Sequence, residues 1–206
     1  MRESLTGNEI ATIDGLTQLP SKRALEAGLS RGAAEMPGQF ALLMLDLDDL
    51  KGVNDEEGGH LEGDLYILNT AQIIPHLLRR DDVLALGKDT PLLSRSGGDE
   101  FGVILYGTTQ QEQVDAVIAR LAGELAEYGI PVSIGGRVHQ PGETAKELLQ
   151  AVDDLAEKAK RENSLRPLTP DQIAAHRQIG AIAATHGINP RKNHTILAAL
   201  QDQGLE

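Results

Sequence analysis

The sequence predicts an α/β fold, a mixed central β-sheet flanked by helices, with a short C-terminal helical extension. Three observations carry this. Two almost unbroken apolar runs, residues 40–45 and 101–106, are of strand length and lack polar alternation, as expected when both faces of a sheet are covered. Segments with apolar residues at helical spacing lie between and around those runs. The order helix–strand–helix–strand–strand–helix–strand–helix then suits one sheet with helices packed on it.

Each element has its own local warrant. Pro20 cannot continue a helix, so residues 16–20 read as a turn, and Ser21 reads as the N-cap of a helix over residues 22–29. Residues 34–39 form a Pro/Gly loop before a strand at 40–46. A polar turn at 54–59 leads into a helix at 61–78, with Leu65, Leu68, Ile73 and Leu77 roughly on one face. Residues 83–86 and 91–94 read as two extended pieces around a turn. Beyond the Gly97-Gly98-Asp99 turn and its following strand comes a helix at 110–127, carrying Val114, Val117, Ile118, Leu121 and Leu125. A short strand at 132–135 precedes a helix at 143–160, whose expected buried stripe is Leu148, Leu149, Val152 and Leu155. Two prolines near 165–170 mark a boundary, with further helices expected near 170–186 and 190–203. The organisation is therefore a polar lead at 1–13, a domain at 14–164 and a helical extension at 165–206.

Composition narrows the chemistry. The chain has 206 residues, 40% of them hydrophobic, and a net charge of −12. With no basic footprint, neither a polymeric nucleic acid nor an anionic membrane surface is an expected partner. An acidic protein still holds a nucleotide when metal ions carry the positive charge. There are no cysteines, which removes disulfides and thiolate metal sites and fits a reducing compartment. The first residues lack a signal-peptide core, and no apolar run approaches the roughly 20 residues of a membrane span, so a cytoplasmic protein is expected.

Two acidic clusters abut the apolar runs. The first run ends directly in Asp46-Leu47-Asp48-Asp49, and the second follows Asp99-Glu100. If the two strands are neighbours, Asp46 and Asp99 converge at one sheet edge, where hard carboxylate donors suit one or two Mg²⁺ ions. Phosphoryl or nucleotidyl transfer is the chemistry this arrangement suggests. Asp48, Asp49 and Asp55 read as solvated turn carboxylates. His76, His139, His176, His186 and His194 show no ligand spacing and are expected to be surface or partly buried imidazoles.

Taken together the motifs resemble the GGDEF domain, the catalytic domain of diguanylate cyclases, over residues 14–163. Asp14-Gly15-Leu16-Thr17-Gln18-Leu19-Pro20-Ser21-Lys22-Arg23 is similar to the family's opening D-x-L-T-G-L-P-N-R-R, with Gln18 and Ser21 as departures. Asp46-Leu47-Asp48-Asp49-Leu50-Lys51-Gly52-Val53-Asn54-Asp55 resembles D-I-D-x-F-K-x-I-N-D. Gly59-His60-Leu61-Glu62-Gly63-Asp64, Gly97-Gly98-Asp99-Glu100-Phe101 and Ser133-Ile134-Gly135 match in order, and residues 153–160 match in part.

The resemblance implies a nucleotidyl-cyclase-like palm that condenses two GTP into cyclic di-GMP, with loss of two pyrophosphates, at a homodimer interface and with Mg²⁺ or Mn²⁺. It implies Asp46, the Leu47 carbonyl and Asp99 as metal ligands, and Asp99, Glu100 and Lys51 as the catalytic groups. Asn54, His60 and Asp64 would read guanine, Gly97 and Gly98 would admit the nucleotide, and Lys160 would hold phosphate. Asp64 suits the donors of guanine rather than the edge of adenine, which disfavours an altered base choice.

Some positions depart from the pattern. One extra residue in Glu56-Glu57-Gly58-Gly59 reshapes the guanine loop, Leu50 replaces Phe, Glu157 replaces Tyr, and Ser164 stands where Arg is usual. The register of the family's product-inhibition motif holds Lys88 and Pro91. Arg79 and Asp82 do spell Arg-x-x-Asp, but too far upstream, so this inhibitory pair is expected not to operate. Only 13 residues precede Asp14, so the segment that usually pairs two protomers is expected to be missing. The alternative to a cyclase is a weak or inactive module that binds GTP or a cyclic dinucleotide and recruits a protein partner through 165–206.

Overall fold

The structure is a computed structural model that describes residues 13–48, 50–51, 60–78 and 92–163. In chain order the elements are α1 (Lys22–Glu35), β1 (Phe40–Leu47), α2 (His60–Leu77), β2 (Leu92–Gly97), β3 (Glu100–Tyr106), α3 (Gln111–Glu127), β4 (Val132–Val138) and α4 (Ala145–Asn163). The extension at 165–206 and the extended piece expected at 83–86 lie outside the described residues.

The strands form one sheet in the order β2-β3-β1-β4. The sheet was expected to be mixed, but every described strand pair is antiparallel. The reason is topological: β3 inserts between β1 and β2, so the two strands that the α2 crossover joins never pair directly. Parallel pairing among the described residues is confined to the isolated Ser21–Arg95 bridge. The adjacency on which the convergence of the two acidic clusters depends is present, because β1 pairs with β3 from Phe40↔Tyr106 through to Asp46↔Glu100.

Alternation along β1 sorts its side chains onto two faces. Ala41, Leu43, Leu45 and Leu47 join Phe101, Val103 and Leu105 of β3 in a cluster with residues of α2 and α3. Phe40, Leu42 and Met44 join Ile104 and Tyr106 in a second cluster with Leu25 and Leu29 of α1 and Leu148, Val152 and Ala156 of α4. Asp46 and Glu100 continue the second set, so both carboxylates belong to the face that α1 and α4 cover.

Several element ends differ from expectation for identifiable reasons. Helix α1 runs past the expected 29 to Glu35, and Gly32 within that extra stretch is a close-packing position: a Cβ there would sit 3.1 Å from the Phe40 ring. Ser21 has extended backbone but makes no side-chain capping bond. Helix α4 starts from a capping box, in which the Thr144 amide donates to Glu147 Oε2 at 2.8 Å and the Glu147 amide donates to Thr144 Oγ1 at 3.2 Å. Leu155 was expected in the buried stripe of α4, yet it is 39% exposed and Ala156 is buried in its place. A small residue is required there, since α4 lies directly against Gly135 of β4.

His139 was expected to be a surface or partly buried imidazole but is 1% exposed. Its ring stacks on Phe40, with centroids 4.5 Å apart. Nδ1 accepts from the Gly38 amide at 3.1 Å and Nε2 lies 3.0 Å from the Glu143 carbonyl, so Nε2 carries the proton. This imidazole locks the sheet end opposite Asp46, where Arg137 also pairs with Glu143. Bonds from Arg137 and Gln140 outweigh burial and lower the pKa of Glu143.

Candidate active site

The acidic turn is built by backbone first. Gly97 (φ 153°) and Gly98 (φ 47°) take conformations that side-chain-bearing residues avoid, which turns β2 into β3 and brings Asp99 and Glu100 to the end of β1. The Leu47 amide donates to the Asp99 carbonyl at 3.1 Å, tying the two candidate metal-binding segments together. Asp46 and Glu100 are direct cross-strand partners.

An arginine the sequence reading gave no role holds this turn. Arg95 donates from Nε and NH2 to the Gly98 carbonyl, at 3.1 and 2.7 Å, and from NH1 to both oxygens of Asp14, at 3.1 and 3.2 Å. Asp14 also accepts from the amide and hydroxyl of Thr17, at 2.8 and 2.7 Å. Burial acts to raise the pKa of Asp14, but the bonds from Thr17 and Arg95 outweigh it and the pKa is lowered. The Arg95 amide donates to the Pro20 carbonyl at 2.9 Å. The opening motif is therefore a brace for the acidic turn. Gln18, where the family pattern has Gly, sits at φ 60°, and its side chain bonds the Gly15 carbonyl.

Helix α4 reaches Asp46 because it lies so close to β4. A Cβ at Gly135 would fall 2.2 Å from the Ala156 amide nitrogen. One turn beyond Ala156 on the same helix face, Lys160 Nζ donates to Asp46 Oδ1 at 2.6 Å. Further along, Asn163 donates to Ser133 Oγ at 3.1 Å, and Ser133 donates to Asp48 Oδ1 at 2.6 Å. The Asp48 amide donates to the Pro131 carbonyl at 3.0 Å. Asp48 is thus no solvated turn carboxylate: it clamps the exit of β1 to the start of β4. Nothing near Asp48 in the sequence signals this, since Ser133 lies 85 residues away.

The electrostatics follow from crowding of like charge. Burial is the first cause that raises Asp46, and repulsion from Asp99 and Asp48 adds to it, while Lys160 opposes both. Glu100 is raised by burial and then by Asp46, Asp153 and Asp99, with Lys22 opposing. Asp153 is raised by burial, again against Lys22. Burial works against the Lys160 ammonium, yet its bond to Asp46 raises its pKa overall. The raised acid favours a neutral pair and the raised base an ionic one. The 2.6 Å contact is that of a charge-assisted hydrogen bond, which is the ionic pair's.

The other candidate residues are placed as follows. Lys51 is exposed, in a helical turn after β1. His60 opens α2 and Asp64 follows one turn later, half-buried. Asn54, Arg79 and Asp82 lie outside the described residues, as do Asp49, Asp55 and residues 56–59, where a reshaped loop was expected. Among the described residues, no three carboxylate or imidazole side chains converge as a ready-made metal cluster. The donors present still fit a hard divalent cation: mutually repelling carboxylates at Asp46 and Asp99, with the Leu47 carbonyl beside them. No described helix is long and apolar enough to cross a membrane.

The chain is similar in sequence and fold to known proteins. Residues 11–166 match the family described as "Diguanylate cyclase, GGDEF domain". The chain is 31% identical over 164 residues to the bifunctional diguanylate cyclase/cyclic di-GMP phosphodiesterase MucR of Pseudomonas aeruginosa, covering 74% of this chain and 22% of MucR. The chain thus spans under a quarter of that relative's length. The coiled coil and GGDEF domain of DgcB from Caulobacter crescentus, solved in complex with c-di-GMP, superposes with a TM-score of 0.64 at 27% identity, over 74% of this chain and 82% of that one. Diguanylate cyclase SiaD of Pseudomonas aeruginosa, solved with its activator SiaC, gives a TM-score of 0.63 at 28% identity, over 75% and 60% of the two chains. On its motifs, its fold and its family match, the chain belongs to the GGDEF domain family of diguanylate cyclases.

Proposed function

We propose that this domain is an active diguanylate cyclase, condensing two GTP into cyclic di-GMP with release of two pyrophosphates. The observation that carries the reading is the meeting of Asp46, Asp99 and Glu100 at one end of β1 and β3, with a lysine in direct contact. In each half-reaction the 3′-oxygen of one GTP bonds the α-phosphorus of the other. The α–β bridging bond breaks, pyrophosphate leaves, and the hydroxyl proton passes to a base. Two such steps close the ring, so two protomers must face each other.

Asp46, the Leu47 carbonyl and Asp99 would hold Mg²⁺ or Mn²⁺, which would neutralise phosphate charge and supply Lewis acidity when bound. Asp99 takes the hydroxyl proton in this reading, and the raised pKa of Glu100 beside it suits a second acceptor. Lys51 and Lys160 stabilise the charge that develops on the phosphates. Asn54, His60 and Asp64 read guanine, and Gly97 and Gly98 leave room for the nucleotide. Arg95 acts at one remove, by holding the Gly98 carbonyl.

The test is incubation of the chain with GTP and Mg²⁺, the product being identified by mass spectrometry. Cyclic di-GMP should form, with specific activity rising steeply with protein concentration, and Asp99→Ala should abolish it while leaving the fold intact. Absence of product at high concentration, or unchanged output from Asp99→Ala, would overturn the reading. Specific activity independent of concentration would overturn the requirement for two protomers.

A further inference from the structure

Lys160 does more here than wait for a phosphate. Its Nζ lies 2.6 Å from Asp46 Oδ1, on the carboxylate that the proposed function gives to the metal. The side chain of Asp46 is 21% exposed and that of Lys160 43%, so the anion is enclosed and the cation rides on a solvent-accessible, flexible stem. Without a cation, Asp46 would face Asp99 and Asp48 uncompensated. An ammonium bonded at this distance excludes a metal ion from the same lone pair.

We propose that Lys160 is the place-holding cation of the metal-free site: it occupies Asp46 until a divalent ion arrives, then passes to the nucleotide phosphates. This rests on the reading of Asp46 as a metal ligand for a nucleotide. The exchange keeps the carboxylate cluster compensated in both states and ties metal arrival to delivery of a phosphate-binding group. It also predicts two effects of opposite sign. Removing the lysine charge tightens metal binding in the absence of nucleotide and weakens nucleotide binding in the presence of metal. A lysine that served phosphate alone would give only the second.

The experiment uses the full chain and Mn²⁺, with free ion followed by electron paramagnetic resonance and no turnover required. Lys160→Met should lower the Mn²⁺ dissociation constant by about three- to tenfold. Lys160→Arg should stay near the wild type. Lys22→Met removes a charge that acts on Glu100 and Asp153 without bonding Asp46, and should change Mn²⁺ affinity by less than about twofold. Asp46→Asn should lose the ion in every background. With Mn²⁺ saturating, a non-hydrolysable GTP analogue should bind Lys160→Met more weakly than the wild type.

Unchanged or weaker Mn²⁺ binding by Lys160→Met, or an equal gain in Lys22→Met, would overturn the exchange while leaving the cyclase reading in place. Mn²⁺ binding that behaves as expected, without any binding of the GTP analogue, would support the place-holding on Asp46 but overturn both the transfer to phosphate and the cyclase reading. Absence of Mn²⁺ binding in all of the proteins would overturn both.

Discussion

Gly135→Ala is a one-carbon test of how the site is assembled. The added Cβ would lie 2.2 Å from the Ala156 nitrogen, 2.6 Å from the Val152 carbonyl oxygen and 2.8 Å from the Ala156 Cα. All three are backbone atoms of α4, so no side-chain rotation relieves the overlap. Ordinary contact requires the helix to withdraw by roughly 1.2 Å. Overpacking of this kind costs about 1–3 kcal/mol. Lys160 is carried on the same helix one turn further on, so the withdrawal strains its 2.6 Å bond to Asp46, and the flexible stem recovers only part of the displacement.

Urea unfolding of wild type and variant measures the first effect, and affinity for a GTP analogue measures the second. Gly136→Ala is the control. Its Cβ would meet mainly side-chain atoms of Ile118 and Leu43, at 3.1 Å each, on the α3 side of the sheet. It should cost less and leave nucleotide binding alone. If Gly135→Ala unfolds within about 0.5 kcal/mol of wild type with nucleotide affinity intact, close approach of α4 to β4 is not what seats Lys160.

Gln18→Gly should stabilise the domain by about 1 kcal/mol in the same assay, because Gln18 holds φ 60° at a position where glycine carries no steric cost; a loss would show that its side-chain bonds outweigh the strain. Ser133→Ala should cost about 1–3 kcal/mol, since it leaves the Asp48 carboxylate without its 2.6 Å donor; a loss too small to measure would remove Asp48 as a clamp. Glu100→Gln has a definite pH signature. The folded pKa of Glu100 stands above its ordinary 4.5, so the folded chain binds this proton more tightly, and stability falls as pH rises from 4.5 through the folded value. The variant should be the more stable protein at neutral pH, by less than about 1 kcal/mol given solvent screening, with the difference vanishing below pH 4.5. A variant less stable at neutral pH would contradict the burial and repulsion assigned to Glu100.

What could be read from the chain was what local pattern encodes. The apolar runs at 40–45 and 101–106 gave two adjacent strands, and the acidic residues abutting them marked the site edge. Contacts between residues distant in sequence were out of reach. Lys160 finds Asp46 across 114 positions, and Arg95 finds Asp14 across 81. Element ends were also set by packing: α1 runs past the expected 29 to Glu35 and β4 past 135 to Val138, with Gly32 and Gly136 admitting close neighbours. Leu155 and Ala156 exchanged burial for the same reason, because the helical stripe is set by the closeness of the partner strand as well as by hydrophobicity.

The brace between Asp14, Arg95 and Gly98 also bears on where the domain begins. Cut by secondary structure, the unit would start at Lys22, with every described helix and strand retained. Such a fragment would keep its sheet and both cores but lose the carboxylate that anchors Arg95, and with it one support of the acidic turn. The functional border of this domain therefore lies before its first helix, at a short loop that adds only Leu16 and Leu19 to the margin of the larger core.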